Sequence, residues 1–222
     1  VYDAFQAAVV GLVLLVVLWP TRSTGKRLLK SWRVNDPSAE QIDDAVRYLK
    51  RRRVLYPVLC AGLTLVPFGS GRGVVSLVAV VLGGTLLAEL LAMSLPREGR
   101  QRVASLAPRG LFDVGSRYVL GGYAFVLAVA LVLLLADFRI ERLPVLVMSV
   151  AAVAAVMWAA VNRPSDGDEE VDRVLRTRSV HVSAGLGAAV AGALVGGLFV
   201  LAGVAAWVLM ANTNVVSKKI VW

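Results

Sequence analysis

Glu89 is the one ionisable residue that falls well inside an apolar stretch, GGTLLAELLAMS. A carboxylate in hydrocarbon is costly unless it is paired, protonated or wetted, so Glu89 is the candidate for proton, ion or substrate handling. It also lies six residues from Leu95, ~9 Å of helix, which leaves a headgroup or a loop arginine within its reach. Gly84, Ala88 and Ala92 form a row of small residues beside it, so Glu89 is expected to face protein. Other chemistry is scarce. A single cysteine, Cys60, excludes an intramolecular disulfide, and a single histidine, His181, excludes a histidine-built metal site or bis-histidine haem. Neither a metal nor a cofactor is expected. His181 stands beside Arg178 without a Ser, Cys or carboxylate constellation and reads as an interface anchor, and Cys60 reads as an inert core residue. Gly69-Ser70-Gly71-Arg72-Gly73 reads as a tight turn, because no Lys-Ser/Thr follows to make a phosphate cradle. No motif carries covalent chemistry, so the chain is read as a non-enzyme.

The elements that position these residues are membrane helices. The chain is 58% hydrophobic with a mean hydropathy of +0.72, well above the ~45–50% apolar share of soluble domains. The expected fold is an all-α integral membrane bundle forming one domain over 1–222, with about six spans at 4–19, 54–68, 74–95, 118–136, 143–161 and 184–210. Its opening residues, VYDAFQAAVV, lack a basic n-region, so no secretory signal is expected there. Two short cytoplasmic amphipathic helices are expected, over 38–53 and 165–178. The first has a Ser38-x-x-Gln41 box after Asp36-Pro37, then Ile42, Ala45, Val46 and Leu49 at i, i+3, i+4 and i+7.

The last apolar stretch, HVSAGLGAAVAGALVGGLFVLAGVAAWVLMA, is expected to be the packing spine. Its small residues fall in rows spaced by four, which draw in Gly185, Ala188, Ala189, Gly192, Ala193, Gly196 and Gly197. Without side-chain bulk there, another helix can approach closely and gain dispersion contacts in lipid. A homodimer seam is the alternative use of the same stripe.

A net charge of +9 would suggest nucleic acid in a soluble protein, but here the basic residues sort by side of the membrane. Nineteen follow odd-numbered spans and five lie elsewhere, which puts the three larger basic segments in the cytoplasm and both termini outside. The Arg-rich, Ala/Val/Leu/Gly-rich composition would suit a GC-rich bacterial genome, and the expected location is the plasma (inner) membrane. Arg22, Lys26, Arg27, Lys30 and Arg33 around Leu28, Leu29 and Trp32 suit a stretch lying on anionic lipid headgroups.

Val34-Asn35-Asp36-Pro37-Ser38 and Val161-Asn162-Arg163-Pro164-Ser165 match at four of five positions, and Asp43/Arg47 answers Asp172/Arg176 further on. Two readings stay open: any cytoplasmic helix start looks like this, or a helix–cytoplasmic helix–helix unit is duplicated as a parallel internal repeat. For function, the leading expectation is a membrane subunit of a transport or cell-envelope system. It would dock a membrane or cytoplasmic protein partner through its basic segments, with Asp43, Asp44, Arg47, Asp172 and Arg176 as the docking residues. The alternative is a small self-contained transporter or channel using Glu89.

Overall fold

The computed structural model describes residues 2–32, 34–63, 74–94, 102–103, 110–162, 165–166 and 168–212. Its helices are α1 (Tyr2–Val17), α2 (Arg22–Ser31), α3 (Ala39–Val54), α4 (Tyr56–Leu63), α5 (Val74–Ser94), α6 (Leu111–Val114), α7 (Arg117–Ala136), α8 (Leu143–Asn162), α9 (Glu169–Val195) and α10 (Leu198–Ala211). A two-residue antiparallel ladder pairs Arg102–Val103 with Ser165–Asp166. The glycine turn at 69–73 and residues 64–68 of the expected second span lie outside the described residues.

Among the described residues, three helices are long and apolar enough to cross a membrane, or four if the sharply bent pair of Val9–Val17 and Arg22–Ser31 counts as one span. They differ in surroundings. Of the apolar window in α9, 89% is buried inside the protein, against 22% for α7 and 28% for the helix containing α8. So α9 is the central element, and α5, α7, α8 and α10 pack around it. Large side chains such as Phe125, Val132, Val147 and Met148 point outward from α7 and α8, an apolar surface suited to lipid.

Glycines set the closest approaches. A Cβ at Gly187 would lie 2.7 Å from Val153 of α8 and 2.9 Å from Tyr123 of α7, so only a hydrogen lets those two helices meet there. On the other side of α9, a Cβ at Gly185 would lie 2.8 Å from Trp207, and one at Gly192 would run into the Phe199 carbonyl.

These contacts correct the expected single span over 184–210. The chain reverses at Gly196 and Gly197, at φ +87° and +57°, and α10 returns antiparallel along α9. At the reversal, Arg139 Nη1 donates to the Val195 carbonyl at 3.0 Å and Arg142 Nη1 to the Leu194 carbonyl at 2.5 Å. Two cations from the α7–α8 turn thus satisfy carbonyls that the helix end leaves without partners, and they complement its dipole. The small residues Gly185, Ala188, Ala189 and Gly192 receive α10, Ala193 is buried, and Gly196 and Gly197 make the turn.

One other expectation changes. Among the described residues, 169–178 belong to α9 and not to a separate helix: Asp168 caps α9 by accepting from the Val171 N–H at 3.1 Å, and α9 then runs unbroken into the apolar core. In the stretch around Leu28 and Leu29, α2 turns its apolar side inward. Leu29 packs with Ala45 and Leu49 of α3 and with Val171 and Leu175 of α9, while Leu28 and Trp32 lie against that cluster. A Cβ at Gly25 would be 2.8 Å from Val46, which shows how tightly α2 sits on α3. This polar cap of α2, α3 and the start of α9 covers one end of the bundle.

The box at Ser38 is formed: the Ser38 N–H donates to Gln41 Oε1 at 2.8 Å, and the Gln41 N–H donates to Ser38 Oγ at 3.2 Å. Such a cap contributes about 1 kcal/mol. At the other end of α3 the chain turns at Leu55 before α4, where Pro57 has no N–H to offer the Arg53 carbonyl.

Candidate functional site

Three helices bring one polar cluster together where the cap meets the bundle. Tyr48 and Arg52 are one turn apart on α3, Glu89 projects from α5, and Arg178 and Ser179 lie on α9. Glu89 is fully buried and forms an ion pair with Arg52, itself 4% exposed. Tyr48 Oη donates to Glu89 Oε1 at 3.0 Å. That uses its one proton, so its two lone pairs accept from Arg52 Nη1 at 3.0 Å and from Ser179 Oγ at 2.7 Å. The phenol is then saturated. Arg178 Nη1 reaches only 3.4 Å from the same oxygen, and its guanidinium lies 5.7 Å from the Tyr48 ring centroid.

Burial alone would lower the Arg52 pKa. The Glu89 carboxylate, with Tyr48 and Tyr56, outweighs that and holds the guanidinium above its ordinary value, so it stays charged. The cluster ties α3, α5 and α9 together, and its carboxylate has no exposed surface. Chemically it is a closed latch. Of its members only Glu89 stands out in the sequence. Tyr48 and Arg52 carry a signal in retrospect, an i, i+4 pair at the mouth of an apolar stretch, whereas Ser179 is 131 residues from Tyr48 and carries none.

The docking candidates fall into two groups. Arg22 holds Asp43 through two bonds of 3.0 Å at the cap surface, and the exposed Arg47 pairs with Asp44, whose side chain is only 13% exposed. The expected Asp43–Arg47 pair is therefore replaced. Asp172 and Arg176 do pair at i, i+4, at 2.7 Å, but they are 3% and 1% exposed, and Arg176 Nη1 also donates to the Ala160 carbonyl of α8 at 2.8 Å. They join α9 to α8 inside the protein and present no charge outward.

His181 is likewise buried rather than at an exposed mouth. Its Nε2 accepts from the Ser116 N–H at 3.1 Å, and its ring lies 5.5 Å from that of Trp32. Its Nδ1, together with Tyr123 Oη, Ser149 Oγ and Trp207 Nε1, is buried without a hydrogen-bond partner. Cys60 is buried, close beside Gly84. Among the described residues no group of His, Cys, Asp and Glu is arranged to hold a metal ion.

Comparison with family models, curated proteins and solved structures finds no match to this chain.

Proposed function

We propose that the chain is a non-enzymatic membrane subunit that docks a protein partner on its polar cap, within a transport or cell-envelope system. One observation carries the reading: α2 and α3 bury their apolar faces on each other and on α9, while Arg22, Lys26, Arg27, Lys30, Arg47 and Lys50 stay on the outside. A charged surface on folded helices is preorganised, so a partner pays little ordering entropy on binding it. Its excess of cations favours an acidic partner surface. Asp43, Asp44 and Arg47 remain the docking residues in this reading, and Asp172 and Arg176 serve the fold.

The orientation that suits this function puts the cap in the cytoplasm. The reversal at Gly196–Gly197 sends α10 back toward the cap, and a tail on that side leaves 21 of the 24 Lys and Arg facing the cytoplasm and three outside. That bias exceeds the one obtained with both termini outside. We therefore assign the end of the chain to the cytoplasmic side of a plasma membrane.

A photo-crosslinking residue at Arg47 or Lys50 should capture a discrete protein in intact cells, whereas one at Val147, on the outer face of α8, should not. Capture at Val147 alone would move the partner to the membrane plane and overturn the reading.

A transporter or channel is the second reading. In its favour are the unpartnered polar atoms of His181, Tyr123, Ser149 and Trp207 around α9. Against it stands the closed state of Glu89.

A further inference from the structure

Three guanidinium groups, of Arg52, Arg53 and Arg178, gather where α3 ends and the apolar helices begin, and among the described residues one carboxylate answers them. Glu89 is committed to Arg52 and Tyr48. Arg178 makes only a long bond, 3.4 Å, to the Tyr48 oxygen that Arg52 and Ser179 already share. Arg53, half-buried, forms no ion pair among the described residues. Its pKa is lowered, first by burial and then by the like charges of Arg178 and Arg52, against an opposing pull from Tyr56. Arg52, nine-tenths buried, also keeps its Nε without a hydrogen-bond partner. Such a cluster carries two uncompensated positive charges in a partly desolvated place, where a bound anion would relieve both burial and repulsion.

The surroundings say which kind of anion. Immediately after Arg53 come two exposed valines on either side of the turn at Leu55, Val54 at the end of α3, 47% exposed, and Val58 in α4, 71% exposed. They put exposed apolar side chains next to Arg53 in the chain, on the outside of the protein. We propose that Arg53 and Arg178 bind the phosphate of an anionic phospholipid, whose acyl chain lies along Val54 and Val58. Guanidinium groups suit the task because their planar donors match a phosphate's oxygens two at a time. This site is independent of the docking surface, which lies on the outer face of α2 and α3.

The test measures thermal unfolding of the detergent-purified protein with added phosphatidylglycerol, phosphatidylcholine or inorganic phosphate, and counts retained lipids by native mass spectrometry. Phosphatidylglycerol should raise the midpoint and remain bound, and phosphatidylcholine should do neither. Arg53→Gln and Arg178→Gln should each weaken the phosphatidylglycerol effect by roughly tenfold in the concentration required, the loss of one charge-assisted contact. Arg47→Gln, on the cap surface, should leave it unchanged. If a glutamine variant does not fold, Arg53→Lys keeps the charge and should retain lipid at reduced affinity. Inorganic phosphate matching the lipid, in an Arg53-dependent way, would keep the anion site but reject the lipid. Equal stabilisation of wild type and both glutamine variants, or no retained anion on the wild type, would overturn the proposal.

Discussion

The Arg52 guanidinium and the Glu89 carboxylate meet as an ion pair in which neither side chain is more than 5% exposed. Such a pair contributes little net stability compared with a well-packed apolar pair, yet removing one partner strands the other charge. Arg52→Met and Glu89→Leu should therefore each destabilise the protein by about 3–5 kcal/mol, while the double variant recovers most of the loss. Unfolding of the four proteins in detergent gives the coupling. Additive losses in the double variant would mean that the two residues act separately.

The α9–α10 reversal separates two kinds of glycine. Gly192→Leu should cost roughly 1–3 kcal/mol by overpacking against Phe199 and Gly203. Gly196 has open space, with only Arg139 Nη1 near at 3.8 Å, but its φ of +87° and ψ of −173° suit glycine alone. Gly196→Ala should accordingly cost about 1–3 kcal/mol through backbone strain. Phe199→Leu should matter much less, since it is the Phe199 backbone that faces Gly192. Wild-type stability for Gly192→Leu would detach α10 from α9.

The same reversal explains what could and could not be read from the residues alone. Ser38, Gln41 and the Ile42 to Leu49 periodicity place α3 because capping and amphipathicity are local. The distance of Glu89 from the end of its helix allows a headgroup or a loop arginine, whereas the partner it meets, Arg52, lies on α3. The Gly196–Gly197 break could not be read, because a pair of glycines in a stripe of small residues serves a continuous packed helix as well as a turn. What decides is remote: Arg139 and Arg142 arrive from another turn to cap the broken end. Asp172 and Arg176 mislead for a related reason. An i, i+4 ion pair looks like a surface feature, and only the helices around α9 bury it.

The proposed orientation rests on the charge bias and the reversal together, and labelling tests it. In a Cys60→Ala background, cysteine at Gly71 should react with an impermeant thiol reagent added to intact cells, whereas cysteine at Ser105 or Ser217 should not. Reaction at Ser217 with protection of Ser105 would put the tail outside.

A surface that docks a partner and a carboxylate that carries ions respond oppositely to two changes, so one measurement separates them. Wild type, Asp43→Lys/Asp44→Lys and Glu89→Gln are brought to equal membrane levels, and partner recovery in mild detergent is read beside proteoliposome flux over a panel of ions. The account predicts that the charge reversal releases the partner. Glu89→Gln should retain it, with no flux that depends on Glu89. Undiminished recovery from the charge-reversed cap, together with flux abolished by Glu89→Gln in an intact fold, would contradict it.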